Sequence, residues 1–253
     1  MSEAKTKALQ GRLALVTGAS SGIGEATALR LAEAGAEVIL AARRTDRLQA
    51  LVERIAASGA TAHALCLDVA DQGAVQAMAE SLRQRHGQLD ILVNNAGVML
   101  LSPIAQADPN EWRAMIEINL LGLMAVTQAV LPLMPRTGTG HVVNIASLAG
   151  RIANPNASAY AATKFGVVAF SESLRREVFG DKIRVTVIEP GLVVSELQDH
   201  ITNTAMKAGV LQRIAALDPL QPDDIAAAVL YAVTQPARVN VNEILLRPTG
   251  QER

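Results

Sequence analysis

A short apolar run, Arg12 to Thr17, ends in Gly18-Ala19-Ser20-Ser21-Gly22-Ile23-Gly24 and passes at once into a helical pattern. Ala28, Leu31 and Ala32 recur at helical spacing up to Gly35, a helix stop, and Glu37 to Ala41 reads as a second strand. Strand, glycine loop, helix and strand within about 30 residues make a βαβ unit. Its two strands must lie parallel, with the crossover helix on one face. Glycines at such a turn let the backbone bend tightly and approach a pyrophosphate, whose charge sits at the helix N-terminus. The spacing is G-x-x-x-G-x-G, not the commoner G-x-G-x-x-G. Gly18, Ser20, Ser21, Gly22, Ile23 and Gly24 are therefore the candidate dinucleotide cradle.

The exit of the second strand bears on which dinucleotide. A site for NAD commonly carries an acid there, about 20 residues after the glycines, to hold the ribose hydroxyls. This strand exits into Ala41-Ala42-Arg43-Arg44, with no acid before Asp46, and Glu37 stands at its opening. A guanidinium at this place can pair with a 2′-phosphate through its planar donor fork. NADP(H) is the expected cofactor, with Arg43 on the phosphate and Arg44 solvated or stacked near the adenine.

The rest of the chain repeats the alternation. Helical stretches span 46–58, 72–86, 108–122 with a continuation to Pro132, 157–178 and 223–234. Strands span 61–67, 89–93, 140–146, 182–188 and 242–246. The segment 192–217 has little patterning and is expected to be mobile on the substrate side; residues 1–10 are expected to be flexible. Strands alternating with helices point to one α/β domain over 1–253, a Rossmann-type doubly wound parallel sheet of seven strands. Half of the 253 residues are hydrophobic and only 2% aromatic, so the core is aliphatic, as parallel strands buried on both faces require.

Composition also excludes some partners. A net charge of −1 gives no field for nucleic acid or an anionic membrane. Residues 1–10 hold no apolar signal core, and no uninterrupted apolar run reaches the roughly 18 residues of a span, so a cytoplasmic protein is expected. Cys66 lies in an apolar run and reads as a buried core thiol. The histidines at 63, 86, 141 and 200 are scattered, no metal-ligand cluster is evident, and His200 is the one placed to face a substrate cleft.

Chemistry enters with Ser158-Ala159-Tyr160-Ala161-Ala162-Thr163-Lys164. The tyrosine and lysine lie one helical turn apart on one face. A free phenol has a pKa of about 10, and a nearby ammonium favours the phenolate. Such a pair suits an alcohol/carbonyl couple. Ser147 follows the fifth strand, at the sheet edge where open α/β folds bind ligands. Asp68 and Val69 end the third strand; Asn94-Asn95-Ala96-Gly97 follow the fourth, either lining a cofactor or making a turn. Asn119 is a lone amide among Ile118, Leu120 and Leu121, and it either fills a structural role or positions a water beside Lys164. Pro190-Gly191-Leu192-Val193-Val194-Ser195 follow the sixth strand.

Taken together, these residues resemble the short-chain dehydrogenase/reductase family across essentially the whole chain. The motifs are Thr17-Gly18-x-x-x-Gly22-x-Gly24, Asn94-Asn95-Ala96-Gly97, Asn119, Ser147, Tyr160-x-x-x-Lys164 and Pro190-Gly191, in the family's order. The stretches 41–44, 94–101, 119–124, 160–175 and 199–202 look most like one of its NADP-dependent members. The resemblance implies hydride transfer between NADP(H) and an aldehyde, ketone or alcohol. Tyr160 is then the acid–base, Ser147 the hydrogen-bond donor to the substrate oxygen, Lys164 the ribose-binding cation, and Asn119 the holder of a water. Cofactor contacts fall to the glycine loop, Arg43, Arg44, Asp68, Val69, Asn95, Ala96, Gly97, Tyr160, Lys164, Pro190, Gly191, Val193 and Ser195. Ser195 departs from the family's usual threonine yet keeps the hydroxyl. A 3-oxoacyl thioester reductase or a non-catalytic NADP sensor are the alternatives. The family also implies a homodimer or homotetramer, built on 165–170 and the helix over 120–133.

Overall fold

A computed structural model describes residues 7–252. Seven strands form one parallel sheet in the order β3-β2-β1-β4-β5-β6-β7. They are β1 (Leu13–Thr17), β2 (Glu37–Ala42), β3 (Ala62–Cys66), β4 (Ile91–Asn94), β5 (His141–Ile145), β6 (Arg184–Pro190) and β7 (Glu243–Leu246). The chain winds from β1 out through β2 and β3, then returns to β4 on the other side of β1. That reversal leaves a crevice between the ends of β1 and β4, the place where doubly wound sheets bind nucleotides. The doubly wound reading therefore stands, with strand ends within two or three residues of the expected ones.

Helices α1 (Gly22–Glu33), α2 (Thr45–Ala57), α3 (Gln72–Arg85), α4 (Pro109–Ile116), α5 (Leu123–Val130), α6 (Ser158–Val178), α7 (Thr204–Ala215) and α8 (Pro222–Thr234) flank the sheet. Aliphatic side chains fill both interlayer spaces. Val16, Ala28, Leu31, Val38 and Val229 pack on one face, and Leu15, Ile39, Leu92, Val126 and Val142 on the other. Every residue of β1, β5 and β6 is buried. A wide π turn, Glu117–Gly122, joins α4 to α5. The resulting run, Pro109–Leu133, is long and apolar enough to cross a membrane by length and composition alone. Here it packs against α3 and α6.

Three stretches differ from the sequence reading. Of residues 1–10, those at 1–6 lie outside the described residues, while Lys7–Gln10 form a turn with Leu9 buried and its N–H bonded to the Ala34 carbonyl. Segment 192–217 contains a 3₁₀ turn (Glu196–His200) and α7, which has no buried residue and so shows no core periodicity in sequence. Cys66 is exposed, not a core thiol. It ends β3, an edge strand in which only Ala62 is buried, so its apolar neighbours are not matched by a layer above and below. A thiol reagent should therefore label one cysteine in the native protein, read by absorbance without denaturant. Labelling that waits for unfolding would contradict the exposed position.

Candidate active site

A groove of about 600 Å³ runs along the C-terminal ends of the strands. Every site residue read from the sequence lines it except Gly24 and Asn119. Those two act from behind the wall.

The glycine loop is held by the switch point. The Thr17 hydroxyl accepts from the main-chain N–H groups of Asn95 and Ala96, at 3.0 and 3.1 Å. The Asn95 amide donates back to the carbonyls of Thr17 and Gly18, at 3.1 and 3.2 Å. A Cβ on Gly18, where φ is +64°, would meet Ala96 Cα at 2.8 Å, and one on Gly24 would press into the Gly18 carbonyl oxygen and the Asn95 amide. Backbone packs on backbone here, and a side chain has no room. Ser21 caps α1 without a side-chain bond to the helix, because its hydroxyl accepts from Arg44 at 2.7 Å. The first-turn N–H groups of α1 are thereby left for an anion, as a pyrophosphate requires.

The two arginines are placed differently from each other. Arg44, expected to be solvated or near the adenine, donates to Ser20 at 2.9 and 3.1 Å, to Ser21, and to Glu196 at 2.7 Å. It braces the glycine loop because two hydroxyls and a carboxylate converge on its fork. The Arg47 and Arg44 guanidiniums hold the Glu196 carboxyl down to about 2. Arg43 lines the groove with its guanidinium largely exposed, and its ion pair is a long one, 3.9 Å to Asp68. Asp68 itself accepts from the N–H of Ala70. His200 lines the groove, where burial and the Arg43 and Arg44 charges hold its imidazole below the usual value. Ser195 caps the turn at 196–200 by accepting from Leu197 N–H at 3.3 Å.

At the other end stand Ser147, Tyr160 and Lys164. Tyr160 and Lys164 are each 6% exposed, side by side on α6. The Ser147 hydroxyl stands beside the Tyr160 phenol, where it favours the ionised form. It also accepts from Ala149 N–H at 3.1 Å. Lys164 Nζ donates to the Ile145 carbonyl at 2.9 Å and lies 5.8 Å from the centre of the tyrosine ring. Burial pushes the Tyr160 phenol up to about 12, against the smaller opposing effect of the Ser147 hydrogen bond. Burial also pushes the Lys164 ammonium down to about 8. The expectation that Lys164 lowers the phenol pKa is thus not met in the protein alone. Both groups lose water, and desolvation favours the neutral form of each. The consequence is a phenol that stays protonated, ready to give a proton.

Asn119 is held through its side chain. It accepts from Val98 N–H at 2.8 Å and donates to the Val98 carbonyl at 2.9 Å and to Thr163 Oγ1 at 3.2 Å. Thr163 in turn donates to the Tyr160 carbonyl at 2.7 Å. A buried amide must find partners, and those of this side chain are protein groups that link the end of β4 to α6. The sequence reading singled out neither Glu196 nor the groove-facing stripe of α7, Met206, Gly209, Val210 and Arg213. Neither carries a motif, and the α7 stripe mixes apolar, glycine and charged residues, so it leaves no apolar period.

The family model for short chain dehydrogenase matches residues 12–206. The chain belongs to the short-chain dehydrogenase family. An uncharacterized oxidoreductase of Staphylococcus saprophyticus is 37% identical over 245 residues, 96% of this chain and 98% of that one. Among solved structures, the closed form of a serine dehydrogenase complexed with NADP+ is 37% identical, with a TM-score of 0.87 over 95% of this chain and 96% of that chain. An alcohol dehydrogenase of the archaeon Thermococcus sibiricus, complexed with 5-hydroxy-NADP, is 29% identical, with a TM-score of 0.84 over 96% and 98% of the two chains. In this short-chain dehydrogenase Ser147, Tyr160 and Lys164 line the same groove as the glycine loop. Among the described residues no three metal-binding side chains stand together.

Burying Lys164 costs stability, and the sign can be tested. Its amine falls from 10.5 in the unfolded chain to about 8 when folded. Below about pH 8 the charged form is buried at full cost; between about 8 and 10.5 the unfolded chain holds the extra proton and stability rises with pH. Lys164→Met should be more stable than the native chain near pH 7, by on the order of 2 kcal/mol, and the gap should close by about pH 10.5. Urea unfolding of both proteins across this range checks it; a constant gap would contradict the depressed value.

Proposed function

We propose that this protein is an NADP(H)-dependent carbonyl reductase and alcohol dehydrogenase acting on a small aldehyde, ketone or alcohol. The observation that carries the reading is the meeting of Ser147, a protonated Tyr160 and Lys164 in the groove that also holds the glycine loop. The NADP complexes of the serine dehydrogenase and the T. sibiricus enzyme support the cofactor, as does Arg43 standing where NAD sites carry an acid. The cradle fits a pyrophosphate, with the first turn of α1 uncommitted and Cβ-free backbone at Gly18. Arg43 is the candidate reader of a 2′-phosphate, since Arg44 is already engaged.

When bound, NADPH supplies a hydride to the carbonyl carbon. Tyr160 gives the phenolic proton to the oxygen that is becoming an alkoxide. Ser147 donates a hydrogen bond to the same oxygen, so negative charge develops against two fixed donors. Lys164, one turn along α6, is placed for the nicotinamide ribose. Pro190, Gly191, Val193 and Ser195 are assigned to the nicotinamide end, and Asp68, Val69, Asn95, Ala96 and Gly97 to the adenosine and ribose walls. Asn119 holds Thr163 and the Tyr160 turn through its side chain, and it is the candidate holder of a water that links Lys164 to solvent. A 3-oxoacyl thioester is the rival substrate, and a carbonyl panel that includes one separates the two. A sensor without chemistry would have no use for the three buried groups together.

The reading extends to assembly and location. Leu121, Met124 and Phe165 are exposed on the α5–α6 face, which supports a homodimer or homotetramer through that face. A cytoplasmic location accords with the family.

Two variants and one profile test the mechanism. Tyr160→Phe should lose turnover by at least about 100-fold yet keep NADPH binding; retained turnover in a cofactor-oxidation assay would overturn the proton-donor role. Arg43→Ala should weaken NADPH far more than NADH, as read by nucleotide fluorescence, and equal losses would remove the arginine from the 2′-phosphate. Carbonyl reduction should fall as pH rises past about 8, where Lys164 loses its charge, without a further break below about pH 12. An alkaline break only near pH 10 would point to an unshifted phenol.

A further inference from the structure

One buried charge near the site has no part in the chemistry above. Glu189 is fully buried in β6, one residue before Pro190. Its carboxylate is gripped by Arg151, Nε to Oε1 at 2.7 Å and Nη2 to Oε2 at 2.8 Å. The same guanidinium donates to Glu243 at the start of β7. Arg151 belongs to the turn that begins at the catalytic serine. Gly150 N–H bonds the Ser147 carbonyl at 2.8 Å, and Arg151 N–H bonds the Leu148 carbonyl at 2.9 Å. Ser147 Oγ meanwhile faces the Pro190 carbonyl at 3.5 Å. The serine turn is therefore tied to β6 at two successive residues, through Arg151 to Glu189 and through Ser147 to Pro190.

A fully buried carboxylate is costly, and a bidentate guanidinium is the partner that offsets this best. The fork also fixes direction as well as distance, which an apolar contact would not. The Ser147 hydroxyl is also bound by Ala149 N–H and the Pro190 carbonyl, so its aim toward Tyr160 and the substrate oxygen depends on where this turn sits on β6. A displacement of about 1 Å at such a group can cost on the order of 100-fold in rate.

We infer that Arg151 is a positioning residue, whose clamp on Glu189 holds the Ser147 hydroxyl against Tyr160 and keeps the Pro190–Gly191 turn in the groove floor. The inference rests on the reductase reading of this site, and wild-type turnover on the carbonyl panel tests that reading by itself.

The experiment compares Arg151→Met, Arg151→Lys and the double variant Arg151→Met/Glu189→Gln with the wild type. Arg151→Met should lower kcat about 10- to 100-fold while the Kd for NADPH, from nucleotide fluorescence, changes less than about 3-fold. Arg151→Lys, a charge without the fork, should recover part of kcat. In Arg151→Met the buried Glu189 carboxylate loses its bidentate partner, so this variant should lose thermal stability relative to the wild type. The double variant should regain thermal stability, since no buried charge is left unpaired, but not kcat. Recovery of kcat together with stability would reduce the pair to a structural role and overturn the inference. So would a folded Arg151→Met variant with wild-type kcat. If Arg151→Met does not fold, the double variant decides between the same two outcomes.

Discussion

The hydrogen-bonded knot between the ends of β1 and β4 is the constraint on which the site depends. Thr17 offers one hydroxyl to two successive N–H groups, and Asn95 returns two bonds to the loop that Thr17 opens. With these made, Gly18 and Gly24 are pressed against backbone and amide, and α1 can start only where it does. The nucleotide crevice is thus a product of polar groups that must be satisfied away from water. A buried ladder continues the theme behind it, with Asn94 donating to Thr127 and Asn144, and Asn144 donating to Ser171. These amides tie β4, β5 and α6 into one body, and α6 carries the tyrosine.

The catalytic end is built at the expense of stability. Tyr160, Lys164 and Glu189 are polar or charged groups inside a domain whose core is otherwise aliphatic. Each has a partner: Ser147, the Ile145 carbonyl and Arg151. Desolvation moves the phenol and the amine toward neutrality, in opposite directions on the pH scale. A proton donor results without any need for a free phenolate. The same burial that makes the donor also makes the lysine sensitive to pH near 8. Strain between stability and activity at such sites is general.

Much of this was legible in the chain. Parallel central strands are covered on both sides, so β1 appears as an apolar run and β5 and β6 as runs rich in valine and isoleucine, and they are read without tertiary information. The glycine loop and the tyrosine–lysine spacing are local, and local geometry places them correctly on a turn and on one helix face. Edge position is different. Cys66 sits in a run that looks like the others, and only the strand order shows that nothing covers it. Helix α7 was invisible because a helix without a buried stripe leaves no period to read.

What the chain determined by itself is the parallel doubly wound fold, the glycine loop between β1 and α1, and the placing of Tyr160 and Lys164 on one helix face. All of these follow from spacing within a strand, a turn or one helix. What only the tertiary structure decided is where polar side chains from distant segments meet. That includes Arg44 on Glu196, Asn119 on Val98, Arg151 on Glu189, and the neutral state of Tyr160. The reason is physical: a pKa or an ion pair depends on which groups exclude water together, and residues dozens of positions apart acquire that relation only when the sheet brings them to one edge.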